Sequence, residues 1–276
     1  MNLITPKVEI IPQGEGIDGI FKQIEIAGRT CYKSENKITE TSSKEFVQRM
    51  IDNGHTAMLE HGSVYLFVPW INYFEEETAP KMYDVVINKY SKFYSNHDFS
   101  KDDIGTYGAY ITTNYRVLYE NNWLHLLKYL CKPTEFHDKR VTVRFTCDRG
   151  VSHELVRHRV FSFAQESTRY CNYSKDKFGN ELTFIMPDKE GWKGSDAYYE
   201  MLNCLDEIER IYMHAMKGGV TPQTARAILP NTLKTEVVMT GYMSDWKKFL
   251  ELRTAPNAHP DMQYLAKKLE KQLKSV

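Results

Sequence analysis

The chain has 276 residues, and its 36 lysines and arginines balance 36 aspartates and glutamates, so the formal net charge is zero. A protein held on nucleic acid mainly by bulk charge would be basic, which argues against a nucleic-acid partner. The chain contains no apolar run of about 18 residues, and its N-terminus lacks the basic and apolar regions of a signal peptide. We therefore expect neither a membrane partner nor export.

The five cysteines form no CxxC pair. An odd number without a spacing pattern is typical of reduced thiols, so we expect a cytoplasmic protein without a disulfide framework. The spacing does not support a zinc ribbon either, and we expect no metal site. The cysteines are Cys31, Cys131, Cys147, Cys171 and Cys204.

In the first half of the chain, apolar residues recur at helical spacing in two segments, which predicts helices over 17–29 and 42–53. A short apolar run at 64–68 predicts a strand. Residues 71–137 show no continuous core pattern, so we interpret them as an insertion between two strands. Within it we expect an aromatic helix from Tyr83 to Tyr94 and another around Asn121 to Leu130.

In the second half, strand patterns lie at 140–147 and 233–241. Helical patterns run from Val151 towards Arg157, over 196–217, from Thr221-Pro222, from a cap at Ser244-Asp245 through Arg253, and over about 260–274. Strands separated by helices make the fold α/β or α+β, and we expect a single domain of residues 1–276 that carries the insertion 71–137.

The segment RHRVFSFAQESTRY at 157–170 concentrates the chemistry. Arg157, Arg159 and Arg169 lie within thirteen residues, and the forked guanidinium matches a phosphate or carboxylate in two-point contact. If 165–170 is extended, Ser167 and Arg169 share a face and form a phosphate clamp. A solvated, salt-bridged arginine face is the alternative, which the apolar residues embedded in the segment disfavour.

Two other kinds of site are conceivable in this region, a zinc site and a nucleophilic serine. His153-Glu154 followed by His158 is similar to the zinc motif HExxH, but the two histidines are five apart rather than four and would lie on different helix faces. Ser167 could be a nucleophile, but no activating base and no G-x-S-x-G turn lie nearby. A serine that contacts a ligand is the better interpretation.

The segment resembles the motif of the flavin-dependent thymidylate synthases, in which RHR is followed by seven residues and a serine. Here Arg157-His158-Arg159 and Ser167 have that spacing. Weaker elements agree in order and are Gly54-His55 followed by Glu60-His61, the A-R-x-x-L-P element at 225–230, and the F-L-x-L-R element at 249–253.

The resemblance implies that family's fold, with an antiparallel or mixed sheet flanked by helices, and a homotetramer whose subunits share active sites. It implies FAD as cofactor, NADPH as reductant, and conversion of dUMP to dTMP with methylenetetrahydrofolate as one-carbon donor. A non-catalytic nucleotide- or RNA-binding module, or a flavin NADPH oxidase of the same fold, are the alternatives.

The resemblance also implies roles for individual residues. The implied catalytic residues are Arg253, Ser167 and His55. The implied cofactor-binding residues are Arg157, His158, Arg159 and Gln165. The implied dUMP-binding residues are Glu154, Gln165, Ser167, Thr168, Arg169, Arg226 and Arg253. Arg253 beside the pyrimidine would stabilise negative charge on a carbonyl oxygen, a task that needs no side-chain nucleophile.

The chain departs from the family pattern at four places. Ala164-Gln165 stands where the family commonly has Asn-Glu, and Tyr242-Met243-Ser244 stands for a flavin-contacting Asn-x-Arg. Lys248 replaces a following Asn, and Cys31 replaces an early serine. Lys248 is therefore a candidate for the cation that the Ser244 position lacks.

Overall fold

The computed structural model describes residues 1–69, 84–95, 108–186 and 192–274. The strands are β1 (Asn2–Ile4), β2 (Lys7–Ile11), β3 (Ser63–Pro69), β4 (Lys92–Ser95), β5 (Gly108–Asn114), β6 (Arg140–Asp148), β7 (Ser162–Gln165), β8 (Thr183–Ile185) and β9 (Lys234–Tyr242). The α-helices are α1 (Gly16–Tyr32), α2 (Ser42–Asp52), α3 (Tyr115–Glu120), α4 (Arg149–Leu155), α5 (Asp196–Lys217), α6 (Pro222–Ala225), α7 (Met243–Arg253) and α8 (Pro260–Leu273).

The main sheet is antiparallel and has the strand order β2-β6-β9-β7. Its first face packs on α4, α7 and α8 around Phe145, Met239 and Trp246, and the Trp246 indole N–H donates to the Val141 carbonyl at 3.0 Å. Its opposite face contacts α1 through Ala27, which packs on Ala164 and Val238. Because both faces are covered, β6 and β9 are buried along most of their length.

A second antiparallel sheet has the order β3-β5-β4 and packs with α1, α2 and α3 around a second apolar cluster. All seven residues of β5 are buried. Residues 108–130 thus contribute a strand, α3 and a 3₁₀ helix (Leu124–Tyr129) to this core. A short parallel pair, β1 with β8, lies beside α5.

The α+β class predicted from sequence is confirmed, as are the helices at α1, α2, α5 and α8 and the strands at β3, β6 and β9. The helix expected from Tyr83 to Tyr94 is wrong at its end, because Lys92–Ser95 pairs with β5 as a strand. Residues 84–87 are helical, and Tyr83 lies outside the described residues. The insertion 71–137 stays a prediction.

The cap predicted for α7 was also wrong, and the condition set for the phosphate clamp is not met. Helix α7 starts at Met243 after an extended Tyr242, so Ser244-Asp245 lies inside its first turn and is not the cap. Residues 165–170 are not extended throughout, because the chain leaves β7 at Gln165 and turns, with the Tyr170 N–H donating to the Ser167 carbonyl at 3.2 Å.

Candidate active site

The RHR segment connects the end of α4 to β7. Asp148 caps α4 by accepting the Val151 N–H at 2.8 Å. Beyond the helix, the Phe161 ring packs directly over Gly241 of β9, where a Cβ would collide with it. This contact holds the start of β7 against β9. Arg157 and Arg159, which precede Phe161 in the chain, are exposed.

Glu154, His158 and Arg253 form a cluster where the ends of α4 and α7 meet. Arg253 donates from Nε to His158 Nε2 at 2.9 Å, from Nη1 to Glu154 Oε2 at 2.5 Å, and from Nη2 to the Glu154 carbonyl at 3.1 Å. The three bonds fix the plane of the guanidinium. They use three of its five N–H groups and leave two for a ligand.

Burial, together with the positive charge of Arg253, lowers the pKa of His158 to about 4. The imidazole is therefore neutral near pH 7 and accepts a hydrogen bond at Nε2. Its ring also packs edge-on against Phe249, with the ring centroids 4.8 Å apart. The family resemblance implied Glu154 and Arg253 for dUMP and His158 for the cofactor, and the structure brings the three side chains together.

The turn after β7 carries a second group of predicted residues. The Ser167 hydroxyl accepts the Arg169 N–H at 3.3 Å, and Arg226 Nη1 donates to Thr168 Oγ1 at 3.5 Å. Arg169 Nε donates to Gln223 Oε1 at 3.4 Å. Both guanidiniums are exposed, and neither pairs with a carboxylate within the described ranges. Two arginines without an ion-pair partner, close to hydroxyl groups, are suited to binding a phosphate.

Gln165 lies at the end of β7, between the two groups. Its Nε2 donates to Ser152 Oγ at 3.0 Å and to Thr235 Oγ1 at 3.3 Å. These contacts hold the amide against α4 and β9, so the residue is positioned by the main sheet rather than by the turn.

A partly buried ionic cluster lies beneath this turn and was not predicted from the sequence. Lys234 contacts Glu166 at 2.9 Å and Glu236 at 2.7 Å, while Lys33 contacts Glu236 at 2.9 Å. Although burial raises the pKa of Glu236, the two ammonium groups outweigh it and lower that pKa to about 2. The Tyr173 hydroxyl donates to Glu166 at 3.1 Å. The cluster therefore anchors the turn to β9 and to the end of α1.

His55 lies in a cavity beside the turn and has no hydrogen bond to the Arg253 cluster in the described residues. It is exposed, and its Nδ1 lies 3.2 Å from the Tyr32 hydroxyl. The Tyr32 ring packs against Tyr170, with the centroids 5.4 Å apart. These side chains line a cavity of about 600 Å³ with Arg29 and Arg49.

Arg159 lines a separate cleft of about 710 Å³. Opposite it lie Arg140, Tyr242 and Lys92, the last on β4. The predicted site residues thus lie at three places on one chain: the Arg253 cluster, the turn at 166–170 with the His55 cavity beside it, and the Arg159 cleft. In the described residues, no group of three or more His, Cys, Asp or Glu side chains could hold a metal ion.

A family model described as "Thymidylate synthase complementing protein" matches residues 120–276, which is more than half of the chain. The chain belongs to this family. The resemblance inferred from RHR-x₇-S is therefore confirmed. The matched region contains the Arg253 cluster and the turn at 166–170, whereas His55 lies before the matched region.

Curated relatives carry the name "Flavin-dependent thymidylate synthase". The one from Corynebacterium aurimucosum is 31% identical over 286 residues, covering 96% of this chain and 83% of the relative. The one from Mycolicibacterium vanbaalenii is 23% identical over 274 residues, covering 95% and 79%. The one from Thermococcus onnurineus is 33% identical over 123 residues, covering 45% and 49%. The chain thus spans about half the length of such archaeal relatives.

The residues that depart from the family pattern have three different surroundings. Ala164 is buried against α1 and contributes to packing rather than to a polar contact. Lys248 is exposed on α7, so it is not built into the cleft. Tyr242 and Ser244 instead contact the segment around β4: the Tyr242 hydroxyl bonds the Tyr90 carbonyl, and Ser244 bonds Lys92.

In the described part of the chain, no helix is both long and apolar enough to cross a membrane.

Proposed function

We propose that this protein is a flavin-dependent thymidylate synthase, which converts dUMP to dTMP with FAD as cofactor, NADPH as reductant and methylenetetrahydrofolate as one-carbon donor. One observation carries the proposal: in a chain of this family, Arg253 is fixed by Glu154 and His158, while Arg169 and Arg226 present two further guanidiniums beside Thr168 and Gln223. When bound, the reduced flavin supplies the hydride.

Arg253 binds the pyrimidine end of dUMP. Its two uncommitted N–H groups stabilise negative charge on a pyrimidine carbonyl oxygen as the ring carbon becomes nucleophilic. Neutral His158 orients the guanidinium without competing for its charge, and Glu154 holds it from the other side. Three protein contacts made before substrate arrives reduce the reorganisation that the reaction requires.

Ser167, Thr168, Arg169 and Arg226 bind the phosphate of dUMP. Both arginines are exposed and contact only neutral side chains in the described residues, Arg226 at Thr168 and Arg169 at Gln223 and the Tyr170 ring, so most of their N–H groups are available to an anion. Gln165 lies on β7 just before the turn and contacts the nucleotide between its phosphate and its base.

Arg157, His158, Arg159 and His55 contact the flavin. The donor set around Arg159 fits a dinucleotide, since that cleft of about 710 Å³ is lined by five cationic and three acidic side chains among the described residues. Its volume lies within the range of about 300–1,000 Å³ typical of ligand sites.

Active sites are shared between subunits of a homotetramer in this proposal. The lining of the His55 cavity contains none of the three residues of the Arg253 cluster, which supports a site that residues of a second chain complete.

The decisive experiment measures tritium release from C5-labelled dUMP by the purified protein. Release that depends on methylenetetrahydrofolate and NADPH, from a protein with flavin absorption, supports the proposal. Oxidation of NADPH without dTMP formation would identify a flavin oxidase instead. A colourless protein whose affinity for RNA falls steeply with salt would identify a nucleic-acid-binding module.

A further inference from the structure

We infer that Lys92, which lies on β4 within the predicted insertion, is a cofactor-binding residue that binds the diphosphate of the flavin dinucleotide together with Arg140 and Arg159. The inference rests on the proposed function for the identity of the anion. It goes beyond that function because Lys92 lies outside every motif on which the family resemblance was based.

The cleft carries cations that the described part of the chain does not neutralise. Of its three carboxylates, Glu60 and Glu120 both pair with Arg116, at 2.6 and 2.8 Å. Asp245 is the remaining carboxylate of the lining. Arg140 and Arg159 have no carboxylate within ion-pair distance in the described ranges. The excess positive charge is suited to an anionic ligand.

Arg140 is partly buried, whereas Arg159 is exposed. The Nη1 of Arg140 donates to the Glu60 carbonyl at 3.0 Å and to Ser63 Oγ at 3.4 Å, and its guanidinium lies 5.7 Å from the centre of the Tyr242 ring. Removing a cation from water is costly unless it is paired. The hydrogen-bond partners of Arg140 are neutral, and the carboxylates of Glu60 and Asp245 act on it only from beyond ion-pair distance. An anion in the cleft supplies the missing charge.

Lys92 reaches the same cleft from β4. Its Nζ donates to Ser244 Oγ at 2.6 Å and lies 4.5 Å from the centre of the Tyr242 ring. Its closest carboxylate in the described residues, Asp138, lies 3.7 Å away and is half exposed. The ammonium thus has one long, solvent-exposed ion pair, and its nearer partners, the Ser244 hydroxyl and the Tyr242 ring, are neutral, so it is able to contact an anionic ligand as well.

Tyr242 ties the β4 segment to the main sheet. Its hydroxyl lies 2.8 Å from the Tyr90 carbonyl and 3.0 Å from the Thr112 carbonyl, so it donates across the gap between the two sheets. Tyr242 and Ser244 are two of the positions that depart from the family pattern, and both contact residues 90–92. The departures and the segment that contains β4 are thus physically coupled, and Lys92 places a cation beside Ser244.

The test compares Lys92→Met with Lys248→Met, because Lys248 was the alternative source of this cation and is exposed outside the cleft. The affinities of FAD and riboflavin are measured by quenching of flavin fluorescence on the apoprotein, and thermal unfolding checks that each variant folds. Lys92→Met should weaken FAD binding about tenfold, the value of one charge-assisted contact. Riboflavin, which lacks phosphate, should bind as it does to the unsubstituted protein.

Lys92→Arg should preserve FAD affinity, since it keeps the charge at this position. Equal losses for FAD and riboflavin in Lys92→Met would overturn the inference, as would a loss confined to Lys248→Met. If the unsubstituted protein binds dUMP but no flavin, the proposed function fails together with the inference. If it binds FAD and Lys92→Met binds it equally well, the inference alone fails.

Discussion

Arg253 donates its Nε–H to Nε2 of His158 across 2.9 Å, although the two residues are 95 positions apart in the chain. The bond requires a free electron pair on Nε2, so the neutral imidazole carries its proton on Nδ1. The low pKa of His158, about 4, maintains this state over the neutral range. The histidine of the RHR motif thus serves, in this chain, to orient an arginine from α7.

Arg253→Lys should nearly abolish dTMP formation while leaving flavin binding unchanged. Lysine keeps the positive charge but cannot make the three fixed contacts with Glu154 and His158 while also donating to substrate. We expect kcat to fall by about 100-fold or more, the usual cost of losing an oriented donor. Tritium release measures this, with Arg210→Lys on the exposed face of α5 as the matched control. Near-normal turnover in Arg253→Lys would contradict the assigned role.

His158→Gln should make the protein less sensitive to acid. Burial and Arg253 lower the folded-state pKa of His158 from 6.5 to about 4, so the unfolded chain binds the proton first. Stability is then lost as the pH falls from about 6.5 towards 4. Glutamine can still accept the bond from Arg253 but does not titrate, so the slope of unfolding free energy against pH should decrease over this window.

Urea unfolding at several pH values measures that slope. The control is His214→Gln, since His214 lies on the exposed side of α5. His61, whose pKa burial lowers to about 3, is retained in both variants and contributes equally to their acid sensitivity. An unchanged slope in His158→Gln would show that His158 does not resist protonation.

Arg226→Ala should weaken dUMP binding by about 10- to 100-fold and leave the stability nearly unchanged. The guanidinium is exposed and makes one long contact, to Thr168, so little folding energy depends on it. A charge-assisted bidentate contact with phosphate accounts for the expected loss. Calorimetric titration with dUMP tests this, and deoxyuridine is the control ligand because it lacks the phosphate. Equal losses for both ligands would place Arg226 away from the phosphate.

Ser167→Ala should reduce dUMP affinity more than FAD affinity. The hydroxyl helps to shape the turn by accepting the Arg169 N–H, and it also lies where the phosphate is expected. We expect a loss of about tenfold for dUMP, as for one hydrogen bond to a charged group. Ser174→Ala is a control, since its hydroxyl bonds Asn172 within the next turn. Intact dUMP affinity in Ser167→Ala would contradict its assignment.

The helices and strands that were predicted correctly are those whose residues show a pattern within the element itself. Helix α5 was predicted with its observed bounds because its apolar stripe is regular, Ser195 caps its start and Gly218 follows its end. Strand β5 was missed because all its residues are buried, including three polar ones, so it has neither alternation nor an apolar run. Its burial depends on β3 and β4 on either side, which no local pattern reveals.

In the candidate site too, local sequence motifs identified some residues, whereas contacts between distant parts of the chain were not predicted. The residues from Glu154 to Arg169 are close in sequence, and a motif was enough to group them. The contacts that hold them are not local, because Lys33 reaches Glu236 across 203 positions and Lys92 reaches Ser244 across 152. Lys248 was a reasonable candidate from its position near Ser244, but the side chain that contacts Ser244 comes from β4.

Lys234→Met should destabilise the protein by about 3–5 kcal/mol, because it leaves Glu166 as an uncompensated buried charge. The Glu166 side chain is only 1% exposed, and Lys234 contacts both it and Glu236. The double variant Glu166→Gln with Lys234→Met should recover part of the loss, since the amide is neutral. Denaturant unfolding measures both.

The control is an exposed ion pair. Lys132 pairs with Glu15 at 2.7 Å with both side chains at least 70% exposed, so Lys132→Met should cost under about 1 kcal/mol. Similar losses in Lys234→Met and Lys132→Met would show that the ionic cluster does not anchor the turn.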